Sequence, residues 1–170
     1  MAIASQGATF LIEPESLRHI MRQWATGVSL VTSVADGFPH GMTVTSFTSV
    51  SLQPAIILVS LEKSTRTHRM VERGKVFAVA LLAEDQQDLA DRFAGRIADN
   101  EDRFAGLTYT SAASGAPIPA GCLAYLDCRV AATYSAGTHT LFLGEVLAGE
   151  VRRQAPPLLY YDRAYRSLLP

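Results

Sequence analysis

Hydroxyl side chains cluster at two places in the chain, and both places have the composition of an anion-binding site. The first is the segment 43–49, Thr-Val-Thr-Ser-Phe-Thr-Ser, at a predicted strand end. The second is the segment 63–67, Lys-Ser-Thr-Arg-Thr, at a predicted helix start. Backbone N–H groups at a helix start, flanked by Ser, Thr and Arg, bind phosphate well. The two segments predict a phosphate held between a strand end and a helix. Strand threonines and ordinary helix capping explain the same residues, and spacing alone leaves both interpretations open.

Other patterns that carry chemistry are missing from the sequence. There is no GxGxxG, P-loop, CxxC or HExxH motif. The four histidines, at positions 19, 40, 68 and 139, do not have the spacing of metal ligands. We therefore expect no metal site and no catalytic acid, base or nucleophile supplied by the protein. If the chain is an enzyme, a cofactor carries out the demanding step.

Length and charge narrow the class of protein. The 170 residues predict a single domain, residues 1–170. With 15 basic and 16 acidic residues, the chain lacks the basic footprint of a nucleic-acid binder. Only 18% of the residues are charged, below the usual value of about 25%, which suggests that part of the surface is covered in an oligomer.

The chain also carries no predicted targeting or membrane segment. Its first basic residue is Arg18, and its longest apolar run, residues 55–59, is far shorter than the roughly 20 residues of a membrane helix. Cys122 and Cys128 lie six positions apart in one predicted strand, roughly 20 Å at about 3.3 Å per residue, too far for a disulfide. We expect inert core thiols and a cytoplasmic protein.

The first predicted element is a helix between Pro14 and Gly27. Leu17, Ile20, Met21 and Trp24 recur at i, i+3, i+4 and i+7, which predicts one buried face. Trp24 is assigned to the core by this spacing rather than to a ligand.

Most of the remaining chain has the pattern of β-strands. The predicted strands are residues 28–34, 40–47, 56–61, 76–82, 122–134 and 139–151. Asp36-Gly37 predicts a hairpin turn, and the apolar run 56–61 predicts a strand buried on both faces. In residues 122–134, Asp127 and Arg129 are expected to face solvent. Helices are predicted from Ser64-Thr65 to Gly74 and over 84–94, and residues 111–121 are expected to be irregular. Many strands with short turns indicate a closed or nearly closed antiparallel barrel.

Five motifs in a fixed order resemble those of a known family. They are residues 24–28 (Trp-Ala-Thr-Gly-Val), 41–51 (Gly-Met-Thr-Val-Thr-Ser-Phe-Thr-Ser-Val-Ser), 63–67, 137–146 (Gly-Thr-His-Thr-Leu-Phe-Leu-Gly-Glu-Val) and 157–161 (Pro-Leu-Leu-Tyr-Tyr). The ordered set resembles the flavin reductase-like family of FMN-binding split-barrel proteins, in particular the reductase components of two-component flavin-dependent monooxygenases. The resemblance runs from about Glu15 to Leu168.

The resemblance implies a mainly β protein with a few short helices, a homodimeric Greek-key split barrel that binds FMN or FAD near the dimer interface. It implies that Thr43, Thr45, Ser46, Thr48 and Ser49 hold the flavin. Ser64, Thr65, Arg66 and Thr67 would take its phosphate, and His139 would meet the nicotinamide of NADH or NADPH. Thr45 departs from the family, since many members have Asn there, and Thr lacks the paired donor and acceptor of an amide.

The implied function is an NAD(P)H-dependent flavin reductase that supplies reduced flavin to a partner monooxygenase. Its alternative is a non-catalytic flavin-binding or electron-carrying protein on the same barrel, and a third class is an oxidase related to pyridoxamine phosphate oxidases. The choices between FMN and FAD, and between NADH and NADPH, stay open.

Overall fold

The fold is known from a computed structural model that describes residues 12–95 and 102–168. Its α-helices are α1 (Pro14–Met21), α2 (Arg66–Gly74) and α3 (Gln87–Phe93), and a 3₁₀ turn, Glu84–Gln86, leads into α3. The strands are β1 (Thr26–Gly27), β2 (Ser29–Ala35), β3 (Phe38–Val44), β4 (Phe47–Leu52), β5 (Ala55–Glu62), β6 (Val76–Leu81), β7 (Tyr109–Ser111), β8 (Pro117–Pro119), β9 (Ala124–Ala136), β10 (His139–Val151), β11 (Leu159–Tyr161) and β12 (Ala164–Arg166).

Seven antiparallel strands form one sheet in the order β3-β2-β6-β9-β10-β5-β4. Its two edge strands, β3 and β4, are consecutive in the chain and separated only by Thr45 and Ser46. Seven flat strands would put the edges roughly 29 Å apart, at about 4.8 Å per strand, and a two-residue link reaches at most about 10 Å. The sheet must therefore curl until its edges meet. Since β3 and β4 do not pair with each other in this sheet, the result is a split barrel, as predicted.

Two apolar cores lie on the two faces of this sheet. Inside the barrel, Phe77, Val79, Val59 and Phe142 pack with Val71 of α2. On the outer face, α3 and the segment 102–118 cover a second core, whose largest members are Leu30, Leu82, Phe93, Phe104, Ile118, Tyr125 and Leu158. Alternate residues of β2 and β6 point into each core, which is why these strands read as continuous apolar runs.

The predicted turn and caps are confirmed. Asp36 and Gly37 have φ of 51° and 80°, the left-handed values of a two-residue hairpin turn. Helix α2 begins after Thr65, whose side chain accepts a hydrogen bond from His68 N, and ends at Gly74.

The prediction of a buried first helix is wrong for the described chain. Helix α1 ends at Met21, because Thr26 and Gly27 pair with β11 instead of continuing the helix. Leu17, Ile20 and Met21 are all exposed, and Trp24 is 66% exposed. The residues that the structure describes therefore leave much of this apolar face uncovered.

Several strand predictions need correction. The single strand 40–47 is two strands, because the chain crosses between sheet edges at Thr45 and Ser46. In β5 the burial alternates, so only one face is fully buried. Residues 111–121, expected to be irregular, contribute to the short pair β7 and β8.

Asp127 also departs from the prediction, because it is fully buried rather than solvent-facing. Its carboxylate accepts hydrogen bonds from Ser114 N at 2.7 Å and from Ser114 Oγ. The segment that precedes β8 therefore covers the face of β9 that was predicted to be wet.

Both cysteines are free and buried. Burial raises the pKa of the Cys122 thiol, and it raises that of Cys128 to about 12. Thiolates are the reactive form of cysteine, so both side chains are unreactive core groups, as predicted. None of the helices in residues 12–95 and 102–168 is long and apolar enough to cross a membrane.

Candidate functional site

A cavity of about 330 Å³ opens at the start of α2 and gathers half of the predicted site. We call it the α2 cavity. Thr43 of β3 faces Ser64, Thr65, Arg66 and Thr67 across it. The remaining lining residues were not predicted from the sequence: His40, Met42, Phe93, Ala94, Gly95 and Arg103. Two segments 20 residues apart in the sequence thus meet at one site.

The backbone of α2 favours an anion in this cavity. The first turn of a helix presents N–H groups that its own carbonyls cannot reach, and the helix dipole adds partial positive charge there. Thr65 caps one of these groups, His68 N. The first turn contains no acidic residue that would neutralise the dipole, and Arg66 lies in it. The electrostatics of this end of α2 suit a phosphate.

The threonine hydroxyl groups are engaged by the scaffold. Thr43 Oγ1 donates to Ala90 O at 2.6 Å, which ties β3 to α3. Thr65 Oγ1 donates to Glu62 O at 2.7 Å while it accepts from His68 N. Thr67 Oγ1 lies 2.8 Å from His40 Nδ1. Because a phosphate needs donors, the guanidinium groups and backbone amides are better suited to it than these hydroxyls.

Arg103 is a buried cation that the sequence analysis did not single out. The residue is 6% exposed and lines the α2 cavity together with Arg66. A local sequence signal could not find it, because Arg103 lies 37 positions from Arg66 and follows α3 by ten residues. Only the packing of the 102–118 segment against the outer core brings it there.

A second cavity, of about 380 Å³, lies beside β1, and we call it the β1 cavity. Most of its lining is apolar: Trp24, Ala25, Val28, Phe47, Leu81, Leu82, Leu123, Pro157 and Leu158. Thr26 and Thr45 are its hydroxyl residues together with Ser29. Thr26 Oγ1 is buried, and within the described ranges it has no hydrogen-bond partner. Buried polar atoms are nearly always satisfied, so this oxygen is available to a water molecule or a ligand atom in the cavity.

The two cavities are close neighbours at the end of β3. Thr43 lines the α2 cavity and Thr45 lines the β1 cavity. Thr45 is in the bend that follows β3, and Cα atoms two positions apart along a chain are at most about 7 Å from each other. The two cavities therefore lie within reach of one ligand. A ligand with an anionic end and a broad apolar end fits the pair of cavities.

The other predicted flavin residues lie outside both cavities. Ser46 Oγ donates to Ser60 O at 2.7 Å and holds the crossing between β3 and β4. Thr48 and Ser49 are exposed residues of β4. The structure therefore brings Thr43, Thr45 and residues 64–67 together, and it does not bring Ser46, Thr48 and Ser49 to them.

His139 lies at the first position of β10, opposite Glu62 at the end of β5. Its Nδ1 is 2.9 Å from Thr138 Oγ1. The adjacent Lys63 donates its backbone N–H to Thr138 O and its Nζ to Gly137 O, so the β9–β10 turn is fastened to the loop before α2. His139 lines neither cavity, but its turn supports the loop that does.

His68 anchors α2 to the barrel wall. Its Nε2 lies 2.8 Å from Thr140 Oγ1, and its ring meets that of Phe142 edge to face at 5.2 Å. Burial lowers the pKa of His68, and the cations of Lys63 and Arg69 lower it further against the opposing effect of Glu72. The neutral ring is therefore favoured in the folded protein.

Comparison with known proteins decides the family. A family model described as "Flavin reductase like domain" matches residues 21–169. The chain belongs to the flavin reductase-like family. It is 35% identical over 159 residues to the flavin-dependent monooxygenase reductase subunit HsaB of Rhodococcus jostii (strain RHA1), with 94% of this chain and 80% of the relative covered. It is 36% identical over 160 residues to the flavin reductase (NADH) of Kitasatospora aureofaciens, with 91% and 82% covered.

A solved structure agrees with the fold. The NADH:FAD oxidoreductase SgcE6 of Streptomyces globisporus C-1027 superposes with a TM-score of 0.87 at 33% identity, covering 96% of this chain and 99% of the other. With relatives of this kind, the chain is an oxidoreductase of the flavin reductase class. The cationic α2 cavity and the apolar β1 cavity fit the phosphate and the ring system of a flavin.

Proposed function

We propose that this flavin reductase binds FMN or FAD across the α2 and β1 cavities and reduces it with NADH or NADPH. The observation that carries the assignment is the closeness of the two cavities at the end of β3, with cations at one end and the buried Thr26 Oγ1 at the other. A flavin held there would supply the redox chemistry, as the acceptor of a hydride from the nicotinamide.

The residues of the chain bind and orient the reactants. Arg66 and the first-turn amides of α2 hold the flavin phosphate, supported by Arg103. Thr26 Oγ1 and Thr45 supply hydrogen-bonding atoms to the edge of the ring system, and the apolar wall of the β1 cavity excludes water from its faces. No protein acid or nucleophile is needed, because positioning and electrostatics suffice for transfer between two cofactors.

We keep the roles predicted for four further residues as proposals, and a separate observation supports each: Ser46, Thr48, Ser49 and His139. Ser46 shapes the strand crossing beside Thr45 through its bond to Ser60 O. Thr48 and Ser49 present exposed hydroxyls on the opposite sheet edge, where a second subunit could bring them to a ligand. His139 would orient the nicotinamide from the turn that braces the loop before α2.

We further propose a homodimer. A helix of eight residues such as α1 is marginal alone, because isolated helices need about 12–15 residues. Its exposed apolar side chains, together with Trp24, give it a face that a second copy of the chain would cover.

HsaB is named as the reductase subunit of a flavin-dependent monooxygenase, which supports a monooxygenase partner reached by diffusing reduced flavin. With free thiols and a nicotinamide co-substrate, we place the enzyme in the cytoplasm.

A turnover assay tests the function. Purified protein is mixed with NADH or NADPH and an excess of FMN or FAD, and absorbance at 340 nm is followed. We expect oxidation of at least one nicotinamide well above background. The flavin that fits the cavities better should give the faster turnover. If the protein binds flavin but no combination is turned over, the non-catalytic flavin carrier replaces the reductase. Flavin that stays bound through every turnover would favour the oxidase class.

A further inference from the structure

A third cavity, of about 270 Å³, adjoins the α2 cavity. We call it the Phe38 cleft. It shares His40, Arg66 and Arg103 with the α2 cavity, so the two spaces meet at the same pair of guanidinium groups. Its other lining residues are Phe38, Pro39, Asp102 and Phe104. Beyond the cations that line the α2 cavity there is therefore a cleft with aromatic walls.

The aromatic walls are held in place by their surroundings. Phe38 directly follows the Asp36-Gly37 turn, and Asp36 is paired with Arg73 of α2 at 2.7 Å, which fixes the hairpin against the helix. Yet Phe38 itself is 67% exposed, which is unusual for a large apolar ring. Phe104 is buried against Phe93 and Tyr109, with ring centroids 5.1 and 5.5 Å away. One wall is thus a fixed core ring and the other an exposed ring.

The polar groups of the cleft suit a ribose and a second phosphate. Asp102 Oδ1 accepts from Phe104 N at 2.9 Å, and the second carboxylate oxygen can accept from a ribose hydroxyl or a base amino group. Arg66 and Arg103 line both the cleft and the α2 cavity, so a phosphate linked to the first one could reach the same two cations. Among the described lining residues, these cations outnumber the single carboxylate of Asp102, which favours an anion at that end.

We propose that the Phe38 cleft binds the adenosine monophosphate half of a dinucleotide, with its phosphate between Arg66 and Arg103 and its adenine on Phe38. The inference rests on the proposed function, which places a flavin phosphate in the α2 cavity. Two co-substrates carry this half, FAD and the nicotinamide dinucleotide, and the mononucleotides FMN and reduced nicotinamide mononucleotide lack it. The continuity of the two cavities makes FAD the expected source.

The test compares each dinucleotide with its mononucleotide in the Phe38→Ala variant. Phe38 is suitable because it is exposed, whereas truncation of the buried Phe104 would damage the core. Dissociation constants for FAD and FMN are measured by fluorescence quenching, and KM values for NADH and reduced nicotinamide mononucleotide by turnover. Loss of one stacking platform is expected to weaken FAD binding roughly tenfold while FMN binding holds, so the ratio of the two dissociation constants shifts by the same factor.

Two further variants make the result specific. Phe38→Tyr keeps an aromatic face and should retain the affinity for FAD. Val151→Ala removes a side chain of similar exposure, 70%, from a position that does not line the cleft, and should change no constant. If NADH weakens in Phe38→Ala while FAD does not, the adenylate half in the cleft belongs to the nicotinamide. If the ratios of both dinucleotides to their mononucleotides stay as in the wild type, the inference is overturned, and continued flavin reduction would show that the proposed function stands without it.

Discussion

At the scale of single residues, the α2 cavity separates groups that build the site from groups that can bind a ligand. Thr43 and Thr65 donate their hydroxyl protons to Ala90 O and Glu62 O, which holds the scaffold together. The cations and amides at the start of α2 remain the donors suited to a phosphate. A motif rich in Ser and Thr can therefore mark a binding site mainly by shaping it.

Arg66 tests the cationic part of this assignment. Arg66→Ala removes a charge-assisted contact worth about 1.5–3 kcal/mol, so the Kd of flavin should rise roughly tenfold to a hundredfold. The Tm without flavin should change little, because Arg66 is half-buried at a helix start rather than in the core. Arg129→Ala is a matched control, since Arg129 forms an exposed ion pair with Glu145 outside the cavities. Unchanged flavin affinity in Arg66→Ala would mean that the phosphate binds elsewhere.

A variant of His139 distinguishes flavin binding from positioning of the nicotinamide. If it orients the nicotinamide, His139→Ala should lower kcat/KM for NADH or NADPH by about 5- to 150-fold, the loss of one positioning hydrogen bond. The Kd of flavin should hold, and the pH profile near the usual histidine pKa of about 6.5 should stay shallow, because no proton is transferred.

If His139 has only a structural role, the same measurements should give a different result. Because its turn is fastened to Lys63, truncation would then lower the Tm and weaken flavin and nicotinamide together. Preserved kcat/KM in the flavin-saturated variant, with reduced stability, would assign His139 to the scaffold.

At the scale of elements, α2 is the piece that joins barrel and site. Its C-terminal half reaches the inner core through Val71, while its first turn lines the α2 cavity. The C-terminal end of α2 packs so closely against β2 that a Cβ on Gly74 would collide with Val34 O. The position of the anion site therefore depends on how α2 seats against β2.

His68 makes the seating of α2 sensitive to pH. Its pKa is lowered in the folded protein, chiefly by burial, so the unfolded chain binds a proton more readily than the folded one. Stability from the neutral ring is fully present above the unfolded pKa of about 6.5 and is lost as the pH falls through the lowered folded value.

The measurement compares Tm between pH 7.5 and 5 for wild type and His68→Gln. Gln can keep a hydrogen bond to Thr140 Oγ1 without titrating. We expect the wild type to lose more Tm than the variant on acidification. Equal losses would show that His68 stays uncharged or that its protonation is accommodated at no cost.

At the scale of the whole molecule, the uncovered face of α1 points to assembly. Light scattering after size-exclusion chromatography should give twice the chain mass of 18.4 kDa. Ile20→Asp places a charge in the exposed apolar face of α1 and should shift the protein toward monomer, whereas Val151→Asp should not. A wild-type monomer at micromolar concentration would contradict the dimer, and a dimer unaffected by Ile20→Asp would place the interface elsewhere.

Features that depend on neighbours along the chain could be predicted from the sequence. Period-two apolar patterns predicted most strands, Asp36-Gly37 predicted the hairpin turn, and Thr65 predicted the start of α2. Each follows from local backbone preferences or from a hydrogen bond within four residues. The ordered motifs also indicated the family that the comparisons then confirmed.

Which residues from distant parts of the chain come into contact depends on the tertiary packing. Arg103 and His40 enter the α2 cavity, Asp127 becomes buried under Ser114, and Trp24 is left exposed. Helical spacing shows that one face of α1 is apolar, but it cannot say whether the same chain or another one covers it. The curling of the seven-stranded sheet brings its edges together at Thr45 and Ser46, and long-range contacts of this kind leave no periodic trace in the sequence.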